Sequence, residues 1–291
     1  MIAQDREAVR LDVLLWADVR RMQEVFTVRK ILLSLFVLIC TLGAASVCLA
    51  DEGIPNTDLP SVLMQQQTEE FKNDKGQVCI RTEYNRLLVK NREAFPALAE
   101  ALEEKHNRVW KEKLAADLEE SKPDAIELKK NRPEDYMYFL LEERLWQKHA
   151  DRNVISFYGE FYQNRGGARP DIEIYTYNFN PVTGKLYTLH DALAPRELAN
   201  FVQNAVKPAL QQYKEKNGLF FYDNYLTIVD ELFAKDYQGE QPLNWVWGEA
   251  GITLYFGPDV LAPRVIGPVE IAVPVKGFEH LFNEQFKNPS R

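Results

Sequence analysis

The sequence predicts an α+β protein in which helices pack on an antiparallel sheet. Three observations predict it. From Asn153 onward apolar and polar residues alternate, with breaks at Gly166-Gly167 and at Asn180-Pro181-Val182-Thr183-Gly184. Pro195 to Lys214 carries Leu198, Phe201, Val202, Ala205, Ala209 and Tyr213 at helical spacing. The C-terminal part then returns to strand-like segments, Leu243 to Trp247, Gly251 to Phe256 and Val269 to Val273. Helices and strands that occur in separate runs along a chain pack as layers.

The elements follow in order. Residues 1–50 read as an N-terminal extension with a signal peptide. Ile31 to Ala50 is uncharged and apolar, Arg29-Lys30 precede it, and Cys48-Leu49-Ala50 ends it with small residues where a signal peptidase cuts. The alternative is a membrane anchor, since about twenty apolar residues can cross a bilayer. Met1 to Thr27 is long and acidic for the start of a signal peptide, and Met22 would give a conventional one. Export to the periplasm, cell surface or medium is the expectation, with membrane contact only through residues 31–50 if they stay uncleaved.

Residues 51–75 read as a loose lead-in with a short helix near Ser61 to Phe71, and residues 76–291 as one domain. Gly76 to Val89 is rich in Val, Ile, Thr and Tyr and reads as a strand. Asn91 to Glu120 reads as a helix, with Phe95, Leu98, Leu102, Val109 and Leu114 on one stripe. Residues 121–135 are a charged break with two prolines, and Tyr136 to His149 fits helix or strand. Ile155, Phe157, Gly159 and Phe161 share one face of a strand, and Asp171 to Phe179 and Lys185 to Leu189 continue as a meander of three strands. A second helix is expected near Asp223 to Ala234, and a closing helical turn over Phe278 to Phe286.

Composition limits function. The chain is 46% hydrophobic and 27% charged, which is ordinary for a folded domain. Its net charge of −8, with no basic patch, argues against nucleic acid as a partner. Of three cysteines only Cys79 lies outside the N-terminal segment, so no internal disulfide and no cysteine-rich metal site is implied. The histidines, His106, His149, His190 and His280, share no metal-binding spacing and read as surface or capping residues. No nucleophile elbow or phosphate loop is present, and no catalytic residue, metal or cofactor is assigned.

Two candidate binding features remain. Arg165, Gly166, Gly167 and Arg169 sit between two strands. No helix follows them, so the phosphate-cradle reading fails. They form either a connection that needs positive φ or a recognition loop presenting two arginines. Trp245 and Trp247 lie two apart in a strand and share a face. They are either core residues or a binding platform.

The order of segments resembles a known family. VISFYGEFYQNRGGARPDIEIYTYNFNPVTGKLYTLHDAL and GITLYFGPDVLAPRVIGPVEIAVP are similar to the extracellular domain of RsiV-type anti-sigma factors, which also accompanies PdaC-type peptidoglycan deacetylases. The carrying residues are Gly166-Gly167-Ala168-Arg169-Pro170, Asn178 through Thr183-Gly184, Leu189-His190-Asp191, Ala262-Pro263, Gly267 and Glu270 to Pro274. Arg169 stands where the family usually has His. The resemblance covers roughly residues 75–287. It implies an envelope-facing, non-enzymatic binding or sensor domain whose partner is a lysozyme-like protein or peptidoglycan. A glycan-acting enzyme and a membrane-tethered regulator are the alternatives.

Overall fold

The computed structural model describes residues 58–132, 137–167 and 169–287, all within the unit Asn56–Arg291. The expected signal segment lies outside the described residues. The architecture is α+β, with a five-stranded and a three-stranded sheet. The larger sheet runs β1 (Val62–Lys72), β2 (Val78–Val89), β3 (Phe139–Ala150), β4 (Ile155–Asn164) and β5 (Asp171–Phe179) in chain order. All neighbours are antiparallel except β2 and β3, which pair in parallel from Ile80↔Phe139 to Glu83↔Glu142 only.

The parallel pair is joined by a long helical crossover, as parallel strands require. It starts as α1 (Pro96–Leu102), widens into a π-turn (Glu103–Asn107) and continues as α2 (Arg108–Asn131). Proline at the start of α1 costs no hydrogen bond, because that amide would be unpaired in any case. Under the crossover, Trp110, Leu114 and Ala125 meet Ile80, Phe139, Leu141 and Phe161. Leu98 and Leu102 meet Leu87, Leu145, Ile155, Phe157 and Phe179.

The second half has α3 (Leu189–Ala192), α4 (Leu198–Phe201), a second π-turn (Val202–Val206), α5 (Lys207–Asn217) and α6 (Tyr225–Gln238). The antiparallel sheet β6 (Asn244–Trp247), β7 (Gly251–Phe256) and β8 (Val269–Pro274) follows. Phe201, Val206, Leu210, Val229 and Phe233 share a core with Trp245, Trp247, Ile252, Leu254, Phe282 and Phe286. None of the described helices is long and apolar enough to cross a membrane.

The two sheets meet through side chains. The Trp245 amide donates to Thr176 Oγ1 at 3.0 Å, and Asn178 Nδ2 donates to the Trp245 carbonyl at 2.7 Å. The Trp247 amide donates to Asn178 Oδ1 at 2.9 Å, and the Ser156 hydroxyl donates to the same oxygen at 2.7 Å. Asn178 thus takes the place of a neighbouring strand for β6. This is the structural role of the asparagine that opens the Asn-to-Thr-Gly motif.

Three expectations are corrected and one open reading is settled. Ser61 to Phe71 is not helical. VLMQQQTEEFK is rich in helix formers, but its pairing with β2 along almost its whole length outweighs weak local propensity. Tyr136 to His149 resolves as strand β3 from Phe139. The helix does not break at residue 121 but runs through Pro123, because Ser121, Ala125 and Lys129 stay buried at helical spacing. Lys185 to Leu189 is not a full strand. It holds one bridge, Phe179↔Leu186, and the three-stranded meander is β3–β4–β5.

Candidate functional site

The Gly-Gly loop is the β4–β5 connection. Gly166 has φ +78°, and a Cβ there would come within 3.1 Å of Leu128 Cδ2. Gly167 needs no positive φ, and a Cβ there would meet only the Arg169 carbonyl oxygen, at 3.9 Å. Gly166→Ala is therefore expected to cost about 1–2 kcal/mol and Gly167→Ala close to nothing, read by denaturant titration. Equal losses would mean that φ is not what the pair supplies. Arg165 and Arg169 are exposed, and Arg165 Nη2 donates to Gln163 Oε1 at 3.1 Å. Beside them Arg264 holds the Pro170 carbonyl at 2.7 Å and Asp171 at 2.6 Å.

Trp245 and Trp247 are 3% and 1% exposed. Their rings pack on Phe286 and Phe282, so the platform reading is corrected to the core reading. The structure does not bring them together with the loop.

A concave surface lies elsewhere. The crossover packs on β2 to β5 and reaches β1 only at Val62 and Phe71, so that the middle of β1, Leu63 to Glu70, lies beyond it. The angle between them is an open trench. Gln67, Glu69, Tyr84 and Arg86 form its floor, and Glu103, Glu104, Asn107, Arg108 and Lys111 its wall, around a volume of ≈ 690 Å³. A second hollow of ≈ 680 Å³ continues it past Leu88, Arg92, Pro96 and Glu100, sharing Arg86, Glu103 and Glu104. From Pro96 to Ala115 the wall is roughly 30 Å long at 1.5 Å per helical residue. Arg86 Nη2 stands 3.7 Å from Glu103 Oε2, an exposed pair that joins floor to wall. Such a pair contributes little and is readily displaced by a ligand.

Beneath the wall lies a buried polar cluster. The β2–β3 ladder stops at Glu83↔Glu142, and from Asn85 onward the β2 backbone needs other partners. The Asn85 amide donates to Glu143 Oε2 at 2.6 Å, and His106 Nε2 donates to the Asn85 carbonyl at 2.8 Å. The Leu87 amide donates to Asn107 Oδ1 at 2.8 Å, and Asn107 Nδ2 donates to the Leu87 carbonyl at 2.9 Å. The wide π-turn sets His106 and Asn107 both onto the strand, a common reason for such a bulge. Asn107 Nδ2 also reaches Glu103 Oε2 at 2.9 Å, which ties the cluster to the trench.

His106 and Glu143 are 0% and 2% exposed, so His106 is corrected from a surface residue to a core one. A carbonyl only accepts, so Nε2 carries the proton and Nδ1 is left bare, without a partner. Burial lowers the His106 imidazole to about 4. Burial raises the Glu143 carboxyl to about 7, against hydrogen bonds from Asn85 and Tyr175 that lower it. The Tyr175 hydroxyl bonds Glu143 Oε1, and its ring lies over Gly159, where a Cβ would come within 2.0 Å of Cζ. His106 Nε2 and Glu143 Oε1 are 3.4 Å apart. The pair stays neutral between the two values because desolvation outweighs mutual attraction.

The other histidines are peripheral to both features. His149 bonds Asp151 at 2.8 Å, His190 lies 3.2 Å from Asp236, and His280 is exposed. Among the described residues no group of three or more His, Cys, Asp or Glu could hold a metal ion. The trench residues were missed in sequence because EEKHNR has the composition of a solvated helix face. No local signal marks a π-turn.

Residues 193–276 match the family model described as "Protein of unknown function (DUF3298)". Two solved structures are similar to the chain. One is a member of the DUF3298 family from Bacteroides fragilis, with 17% identity and a TM-score of 0.52, covering 79% of this chain and 96% of that one. The other is a DUF3298 family protein from Pseudomonas aeruginosa, with 13% identity and a TM-score of 0.51, covering 80% and 98%. At these identities the likeness is one of fold. No curated protein matches the chain.

Proposed function

We propose that the chain is an exported, non-enzymatic binding or sensor domain of the cell envelope that holds its ligand in the trench between the β1–β2 hairpin and the helical crossover. The observation that carries this reading is the trench itself. It is long, open, and lined by side chains of both charges and by one half-buried tyrosine, Tyr84. Such a surface suits an elongated polar ligand better than a small substrate, which takes an enclosed, largely apolar pocket. The two groups with large carboxyl and imidazole shifts, Glu143 and His106, are sealed beneath the wall and are occupied with the β2 backbone. They serve the fold, and that weighs against a glycan-acting enzyme.

The resemblance to RsiV-type domains names the partner to try first, a lysozyme-like protein, with peptidoglycan second. An acidic chain also steers a basic protein toward itself, so salt must be varied. The test is a titration of the full chain, in mild detergent, against a lysozyme and against soluble peptidoglycan fragments, at low and physiological salt. The expected result is binding to one of them that survives salt and weakens about tenfold or more in Arg86→Glu. Arg169→Ala is the comparison for the β4–β5 loop. Binding lost only in Arg169→Ala would move the site to that loop. Absence of binding to both ligands would remove this reading.

A further inference from the structure

The outer edge of β1 is a surface separate from the trench reading. Among the described residues β1 is the end strand of its sheet, with β2 on one side. The Lys90 amide donates to the Ser61 carbonyl at 2.8 Å, which makes Ser61↔Lys90 a hydrogen-bonded pair. Antiparallel ladders alternate. Leu63, Gln65, Gln67 and Glu69 therefore turn their amides and carbonyls to β2, and Met64, Gln66, Thr68 and Glu70 turn theirs outward.

Exposed edges of this kind are normally blocked by proline, lysine or a bulge. Val62 to Glu70 has none of them. The bulge lies beyond, between Phe71 and Lys72. Leu63 and Met64 are also 44% and 37% exposed, one on each face of the strand. The order of charge along the strand selects the occupant. Val62 to Thr68 is uncharged, and Glu69 and Glu70 follow. A parallel, in-register copy would set Glu69 on Glu69 and Glu70 on Glu70. An antiparallel copy sets that acidic end against the apolar end.

We propose that β1 pairs antiparallel with β1 of a second copy of this chain, about a two-fold axis at Gln66, joining the two five-stranded sheets into one. In this register Met64 faces Thr68, Leu63 faces Glu69 and Val62 faces Glu70, with no like charges opposed. The outward amides and carbonyls of the even-numbered residues then find partners in each other. Gln67 and Glu69 lie on the trench face of β1, so the two trench floors adjoin across the axis.

The test is sedimentation equilibrium of the full chain in mild detergent, with residue-resolved amide exchange. Thr68→Pro removes an outward amide and leaves the β1–β2 ladder intact, as proline is tolerated on that side of an edge strand. Gln66→Lys sets two like charges across the axis. The wild-type chain is expected to dimerise. The amides of Met64, Gln66 and Thr68 should exchange as slowly as those of Gln65 and Gln67, in proportion to concentration. Each variant should weaken the dimer about tenfold or more while keeping the melting curve of the monomer, read at concentrations below the dimer's dissociation constant. A chain that stays monomeric at its highest soluble concentration overturns the proposal. So does a dimer unchanged by both variants, or one whose outward amides exchange freely. Outward amides protected only by an added extended peptide would show a foreign strand as the occupant and overturn it as well.

Discussion

Asn178→Ala is expected to destabilise the folded chain by about 3 kcal/mol, because it leaves the buried Trp245 carbonyl without its partner and the Trp247 amide with only its longer bond to Ser156 Oγ at 3.2 Å. Asn178 is 1% exposed and serves three neighbours: the Trp245 carbonyl, the Trp247 amide and the Ser156 hydroxyl. Alanine cannot replace any of these bonds, and Asn178 and Ser156 are both buried. The loss corresponds to a fall in Tm of roughly 10 °C for a domain of this size. Asn178→Asp keeps the acceptors but opposes a carboxylate to the Trp245 carbonyl, so it should do no better. Ser156→Ala should cost much less, since the Trp247 amide keeps its bond to Asn178. Denaturant melts of the three variants check the order. A loss below about 1 kcal/mol in Asn178→Ala would mean that apolar packing alone joins the sheets.

Glu143 and His106 give the second large effect, and it is hidden in the wild-type chain. The Glu143 carboxyl titrates at about 7 in the folded chain, against 4.5 for an ordinary glutamate. The folded state therefore holds that proton more tightly, and the resulting stability is full below pH 4.5 and is lost as pH rises to about 7. His106 does the opposite. Its folded value of about 4 lies below the ordinary 6.5, so its contribution is present above pH 6.5 and is lost as pH falls toward 4. Over the shared window the two slopes cancel, and wild-type stability should be nearly flat. Each slope alone amounts to roughly 3 kcal/mol.

Removing either group exposes the other. Glu143→Gln can still accept from the Asn85 amide and donate to Tyr175. Its stability should rise between pH 4 and 6.5. His106→Gln can still donate to the Asn85 carbonyl. Its stability should fall between pH 4.5 and 7. Denaturation midpoints at a series of pH values read both. A Glu143→Gln variant as flat as the wild type would show that the imidazole is not held neutral by burial.

Much of the fold was legible in the residues. The strand Gly251 to Phe256 has the bounds that its pattern predicts, and the amphipathic stripe from Leu198 to Tyr213 lies in α4, the second π-turn and α5 as expected. Period-two alternation places Phe157 and Phe161 inward on β4. These features succeed because burial of one face is a local property of sequence spacing. The failures share another cause. VLMQQQTEEFK became a strand because β2 was available to pair with it. The helix passed Pro123 because the sheet below kept burying its face. Of the candidate site residues, the burial of Trp245 and Trp247 was one of two readings that the spacing left open. The trench was not legible at all, since its floor and its wall come from separate segments.

By its own pattern the sequence determined the α+β class and the inward rows of the strands, and it offered a connection with positive φ as one of two readings of the Gly166-Gly167 loop. Each of these depends on residues next to one another in the chain. Only the tertiary structure decided that EEKHN is part solvated wall and part buried clasp. The β2–β3 ladder ends four residues into β3, and the amides and carbonyls it leaves on β2 must be paired inside the protein. His106, Asn107 and Glu143 meet that need, and which polar residues are drawn inward is set by where two distant strands part.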